Sequence, residues 1–351
     1  VGMMRAGTKG RREALQLEIT NAGFDRTTIC WDHHEYSRRV VDGLAEDDSW
    51  FGFITSLDEG DDWRDTLVWR KANPLLGVSI TERYLQEQVR EAVGMPSKQS
   101  LVKRLNFCVW VDAESPWIDG EVWRSRLSKV DREALRGKRC VAALDLSSKN
   151  DLTALVLTFP DEEPMRSIAF FWTPGDTLRD REERDRAPYR LWVERGHLMT
   201  TPGRAIDYAF VAAQVVKLMG EFEFNELVFD RWRVDDFIRE LDDLDVTSAL
   251  VELGTDADPT VQLTLRPYGQ GFRDMGPAVD ALENELFNGG LVVDDNPVMN
   301  MCAANAVLTM DPAGSRKFDK RSSVGRIDGV VALAMATRAA QLSRIVKSFW
   351  E

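Results

Sequence analysis

The stretch that most constrains the fold is VAALDLSSKNDLTALVL, residues 141–157. Four apolar residues run into Asp145, a polar turn follows, and a second apolar run begins at Leu152. Short continuous apolar runs bounded by turn residues mark strands covered on both faces. A third run, RSIAFFWTP, makes a three-strand meander. The first strand ends on a carboxylate, which costs free energy when buried unless a partner, a hydrogen-bond network or a metal ion compensates it.

Beyond the meander the pattern alternates. FNELVFD reads as a strand, and AIDYAFVAAQVVKLM, RVDDFIRELDDL, GPAVDALENELFNG, NPVMNMCAANAVL and RIDGVVALAMATRAAQLSRIV have helical spacing. This order predicts an α/β fold: a mixed sheet with helices on both faces. The charged run RDREERDRAPYRLWVERG is expected to form an exposed helix end.

Upstream, residues 15–19 and WFGFITSLD read as strands, with a turn at Thr20, Asn21, Ala22 and Gly23. TICWDHHEYSRRVVDGL, ITERYLQEQVREAV and SLVKRLNFCVWV read as helices, the second with Thr81 as N-cap. The polar segment 113–138 carries Pro116, Gly120 and Gly137 and is expected to hold the boundary, giving a first domain over 1–115, a linker over 116–138 and a second domain over 139–351.

Composition narrows the function. The net charge of −13 argues against stable wrapping around nucleic acid but leaves room for a local basic groove. No apolar run reaches the roughly 18 residues of a membrane span. The four cysteines have no CxxC spacing, so neither a zinc site nor a disulfide framework is indicated, and a reducing cytoplasm is expected. His33 and His34 read as a helix-surface pair, and the tryptophans at 63, 69, 110, 117 and 123 as packing anchors.

Three aspartates stand where a mixed sheet builds a site. Asp145 and Asp230 end strands, and Asp328 lies in the first turn of the last helix beside a small-residue stripe, Gly329, Ala332 and Ala336. Small residues let that helix lie close to the sheet. Converging carboxylates repel, and hard divalent cations relieve the repulsion. Two such ions about 4 Å apart activate a water and stabilise a leaving oxygen in phosphodiester hydrolysis. Taken singly, each acid is equally a cap or turn residue. Lys317, Lys320, Arg321 and Arg326 form a basic patch just before Asp328. It reads either as a solvated loop or as a set of phosphate contacts.

The ordered motifs ITNAG (19–23), WRKANPLLG (69–77), LNFCVW (105–110), LDLSSKNDLTAL (144–155), PYRLWVERGHLMTTPGRAIDY (188–208), LVFDRW (227–232) and RIDGVVALAMA (326–336), with NP at 296–297 and AAN at 303–305, resemble the large terminase subunit of tailed bacteriophages and prophages. The resemblance covers about nine tenths of the chain. It implies a C-terminal ribonuclease H-like nuclease domain, preceded by the end of a P-loop (RecA-like) packaging ATPase domain and a helical linker. Asp145, Asp230 and Asp328 match the catalytic, metal-binding acids, with two Mg²⁺ or Mn²⁺ ions. Thr20 to Gly23 match the segment that couples ATP hydrolysis to movement. Expected partners are double-stranded viral DNA, cut as a concatemer during packaging, a small terminase subunit and a portal protein, all in the bacterial host cytoplasm and without a membrane.

Two departures qualify the resemblance. GxxxxGK[ST] and the strand ending in Asp-Glu are absent, so the chain is expected to be an N-terminally truncated piece, with ATP used only by the full-length protein. Relatives also carry a His before the late Asn-Pro where this chain has VVDDNP, making Asp294 or Asp295 a further ligand candidate. An inactive prophage remnant remains an alternative. So does another ribonuclease H-like enzyme of resolvase or transposase type, although ITNAG and KANPLLG argue against that one.

Overall fold

The computed structural model describes residues 6–24, 28–95, 98–111, 117–146, 152–230, 234–253, 255–320, 323 and 325–348. The chain divides into two compact units, Val1–Val111 and Asp112–Glu351.

In the first unit, helices Ile29–Val41, Trp69–Ala72, Glu82–Gly94 and Gln99–Phe107 are the main regular elements. Thr81 caps the third, its hydroxyl accepting from Tyr84 N at 3.2 Å. The core gathers Leu57, Trp63, Trp69, Leu85 and Phe107. Residues 15–19 and 50–58, expected as strands, form no ladder among the described residues. Leu15, Leu17, Ile19, Phe51 and Phe53 are exposed. Alternation supplies a strand's pattern, but only a partner strand supplies its hydrogen bonds.

The second unit is built on a nine-stranded sheet in the order β1-β9-β4-β3-β2-β6-β8-β7, with β5 paired to β4. The strands are β1 (Leu127–Ser128), β2 (Val141–Asp145), β3 (Thr153–Phe159), β4 (Met165–Pro174), β5 (Met199–Thr201), β6 (Glu226–Asp230), β7 (Ser248–Leu250), β8 (Leu263–Tyr268) and β9 (Leu291–Asp294). β2, β3 and β4 form the expected antiparallel meander. From β2 the sheet continues through β6, β8 and β7 in parallel.

Both faces are covered, which is why the central strands are apolar throughout. Ala143, Val156, Phe171 and Val228 face the helices Phe272–Asn288, Pro297–Asn305 and Asp328–Ser348. Ala142, Leu144, Leu155, Leu227 and Phe229 face the helices Tyr208–Glu221 and Val234–Asp242. A separate hairpin, β10 (Leu308–Met310) and β11 (Arg316–Phe318), leads into the last helix.

The segment read as a linker is structured in its described part. It carries the helix Gly120–Ser125 and β1, which pairs with β9. Trp117 and Trp123 are buried, and Trp117 Nε1 donates to Ala303 O at 3.0 Å. These polar-looking residues are anchored by two tryptophans rather than by an apolar run. The charged run also departs from expectation: it forms the helices Leu178–Asp185 and Tyr189–Glu194, and Arg181 and Tyr189 on them are buried.

No helix among the described residues is long and apolar enough to cross a membrane.

Candidate active site

Strand alternation aims the acids. Asp145 follows Ala143 by two residues and Asp230 follows Val228 by two, so both side chains point to the face covered by the last helix. β2 and β6 are neighbouring parallel strands, registered Ala143 to Val228 and Leu144 to Phe229. Asp145 and Asp230 therefore end adjacent strands at the same edge of the sheet, where open parallel sheets build their sites.

The last helix brings the third acid. Asp328 is its first residue and is 3% exposed. Gly329 makes the close approach possible: a Cβ there would lie 2.8 Å from Phe171 Cε1 and 3.2 Å from Met299 Sδ. Phe171 is fully buried on β4, so the small residue seats the helix start directly on the sheet.

Lys320, just past β11, joins two of the acids. Its Nζ donates to Asp145 Oδ2 at 2.9 Å and to Asp328 Oδ1 at 3.1 Å. Gln270 Nε2 donates to the other Asp145 oxygen at 3.0 Å. Asp145 itself is 1% exposed. Burial pushes its carboxyl up to about 6; the Lys320 ammonium opposes this, and Asp328 and Asp230 reinforce it. Burial alone would depress the Lys320 ammonium, but the two carboxylates outweigh it and raise it.

Among the described residues, no three His, Cys, Asp or Glu side chains stand close enough together to hold one ion. The donor set nonetheless suits a hard cation. It is carboxylate oxygen throughout, and two of the carboxylates already converge on one positive nitrogen.

The other expected residues are dispersed. Lys317 Nζ lies 4.8 Å from the centre of the Phe272 ring. Arg326 Nε pairs with Asp185 Oδ2 at 3.5 Å, and Tyr189 donates to the same oxygen at 3.0 Å. Burial holds the Arg326 guanidinium below its ordinary range, although Asp328 pulls the other way. Arg321 lies outside the described residues. The expected basic patch is thus three cations with three different engagements, plus one undescribed.

Asp294 and Asp295 are not at this site. Val293 is level with Ser167, then Thr158, then Val141, at the far end of β2 from Asp145. Asp294 instead accepts from Val130 N at 3.0 Å and from Arg132 at 3.3 Å. Thr20 to Gly23 lie in the first unit, where a Cβ on Gly23 would meet Trp110 Cζ3 at 2.6 Å.

Sequence reasoning missed Gln270. Its signal was RPYGQG: β8 ends at Tyr268, in register with Asp230, so the following turn opens at the same sheet edge.

An antiparallel meander continued by parallel strands, with acids at the strand ends and helices on both faces, defines the ribonuclease H-like class. Within it, the chain belongs to the family described as terminase large subunit, endonuclease domain, which matches residues 44–344. It is 41% identical over 273 residues to the large terminase subunit of Enterobacteria phage HK97, covering 78% of this chain and 51% of that protein. It is 27% identical over 351 residues to protein YmfN of Escherichia coli strain K12, covering 97% of this chain and 73% of YmfN. The crystal structure of the HK97 bacteriophage large terminase superposes with a TM-score of 0.56 at 35% identity, covering 90% of this chain and 61% of that one. The chain thus spans about half the length of the HK97 subunit.

Proposed function

We propose that the second unit is a divalent-metal-dependent endonuclease that cuts concatemeric double-stranded viral DNA during genome packaging. One observation carries this reading: two buried carboxylates, Asp145 and Asp328, share a single cation beside Asp230, in a family of terminase endonuclease domains.

Asp145, Asp230 and Asp328 would hold two Mg²⁺ or Mn²⁺ ions. When bound, such ions supply an activated water and stabilise the leaving oxygen. The chain's own residues do the rest. Gln270 fixes the rotation of the Asp145 carboxylate by donating to one oxygen, leaving the other for a cation. The apolar face under the last helix keeps water from behind the acids. Lys317, Lys320, Arg321 and Arg326 would supply the contacts to the DNA backbone.

Cutting-site choice would fall to partners, a small terminase subunit and a portal protein, in the host cytoplasm. The first unit would be the end of the packaging ATPase domain, with Thr20 to Gly23 coupling hydrolysis to movement and ATP bound only by the full-length protein.

The test is cleavage of linear and supercoiled DNA by the 351-residue chain with Mg²⁺, Mn²⁺ or EDTA. Cutting is expected with either metal and not in EDTA, and Asp145→Asn is expected to abolish it. Normal cutting by that variant would refute the reading.

A further inference from the structure

We infer that Lys320 is a tethered cation: it occupies the position between Asp145 and Asp328 while no divalent ion is bound, and gives it up when one enters. The inference rests on the reading of these acids as metal ligands.

The geometry is that of a stand-in ion. A single nitrogen is hydrogen-bonded to one oxygen of each carboxylate, at 2.9 and 3.1 Å. Both carboxylate side chains are almost fully enclosed, at 2% and 5% exposed, whereas the Lys320 side chain is 42% exposed. The stem lies at the surface and only the charged tip reaches inward. Such a group can withdraw without opening the core.

The backbone holds the lysine on station. Two residues earlier, Phe318 is buried and meets the Trp117 ring at 5.5 Å. Asp319 N donates to Val307 O at 3.0 Å. The hairpin therefore delivers the Lys320 side chain to one place, and its flexible four-carbon stem provides the way out.

An ammonium and a divalent ion cannot share these oxygens. Magnesium–oxygen bonds are about 2.0–2.1 Å, much shorter than the hydrogen bonds now present. A doubly charged ion bonded to either carboxylate would also face the ammonium across a few ångströms of low-dielectric space. Replacing the ammonium with the ion is favoured by charge. One positive charge faces Asp145 and Asp328 directly, with Asp230 contributing further repulsion at Asp145. Gln270 stays on the other oxygen of Asp145 throughout, so the carboxylate keeps its orientation when the lysine leaves. The released ammonium then stands at the mouth of the site, free to meet a phosphate. Metal entry and DNA contact are in this way linked through one side chain.

The rival role is permanent support, in which Lys320 orients the acids in the metal-bound state as well. The two predict opposite signs. Loss of a supporting outer-shell group typically weakens metal binding about 10–100-fold. Loss of a competitor strengthens it.

The test is Mn²⁺ alone, titrated calorimetrically into the 351-residue chain. Lys320→Met is expected to bind about tenfold more tightly than the wild type, since one competing charge is gone. It is also expected to melt at a lower temperature in EDTA, because two buried carboxylates lose their counter-charge. Unchanged or weaker Mn²⁺ binding overturns the inference. A second readout uses the unmutated chain, in case the variant does not fold. Acetylation of Lys320 by an amine reagent, followed by peptide mass spectrometry, should rise severalfold on adding Mn²⁺. Unchanged or slower labelling also overturns it. Asp145→Asn separates the two levels of argument. If that variant retains the Mn²⁺ binding, the metal reading itself falls; if it loses the binding while Lys320→Met behaves as wild type, only the role of Lys320 falls.

Discussion

The Asp145 carboxylate and the Lys320 ammonium, 2.9 Å apart at the end of β2, form an ion pair whose acid is less at ease charged than an ordinary aspartate. Burial outweighs the lysine and pushes Asp145 from near 3.8 up to about 6. Between those values the folded chain binds more protons than the unfolded one, so metal-free stability falls as pH rises through the window and levels off above it. Lys320, held above its ordinary range, stabilises the fold through neutral pH and ceases to do so only in strong alkali, outside this window. Thermal melts in EDTA across about pH 4 to 7 should show the fall in wild type and lose it in Asp145→Asn. With Mn²⁺ the trend reverses, because the ion displaces the proton: the metal-induced gain in Tm should grow as pH passes about 6.

Asp230→Asn and Asp328→Asn test the other two corners. Each substitution keeps the side chain's shape and removes its charge. Mn²⁺-dependent cleavage should disappear in both. Metal-free stability should change by less than about 1 kcal/mol in Asp230→Asn, whose residue is less buried than Asp145 or Asp328. Asp328→Asn should also weaken protection of Lys320 from acetylation, since one of its two acceptors becomes neutral. Cleavage at the wild-type rate by either variant would remove that residue from the site.

Much of this was legible in the sequence because it is carried by apolar patterning. The meander 141–174 announces itself by three apolar runs, and Asp145 and Asp230 are visible as acids closing two of the sheet's strands. Asp328 was found through its setting, since Gly329 marks a close approach. The short strands were not legible: β1, β5 and β7 have two or three residues each, too few for a period to register. By sequence Lys320 belongs to a basic patch that fits a solvated loop or a phosphate contact, because a sequence shows its charge but not its partners. That it turns inward depends on the hairpin holding Phe318 and Val307 in place, a tertiary fact. The segments around Ile19 and Phe53 show the opposite failure, in which the local pattern is that of a strand but no ladder forms among the described residues.

Gly329→Val should show how closely the last helix must lie. The first added carbon would stand 2.8 Å from a ring atom of buried Phe171 and near Met299 Sδ. Neither neighbour has room to retreat, as both are fully buried. Overpacking of this kind typically costs about 1–3 kcal/mol. The variant should melt at a lower temperature and lose cleavage together with Mn²⁺ affinity, because Asp328 moves with the helix start. Wild-type stability would mean that the helix seats on the sheet by other contacts.

The 351-residue chain should not turn over ATP. It contains no GxxxxGK[ST], and so no backbone cradle and no lysine for the β- and γ-phosphates. Phosphate release measured with and without DNA should stay at background. Turnover that disappears on substituting Thr20 would contradict this.

DNA binding gives the last test, because the two roles of Lys320 leave different salt signatures. Each phosphate neutralised by a lysine or arginine releases a counterion and steepens the plot of log affinity against log salt by about one unit. In EDTA the Lys320 ammonium is held by Asp145 and Asp328 and does not count. Lys320→Met should therefore leave the EDTA slope unchanged. With Ca²⁺, a divalent ion used here to fill the acids without supporting rapid cutting, the lysine is released and the wild-type slope should steepen by about one unit. Lys320→Met should remove that increment. Lys317 rests against the Phe272 ring, so Lys317→Ala should flatten the slope equally with and without Ca²⁺. Fluorescence anisotropy on a short duplex, repeated over a series of salt concentrations, measures all of these slopes. A loss of slope on Lys320→Met in EDTA would mean that the ammonium already faces DNA before any ion arrives.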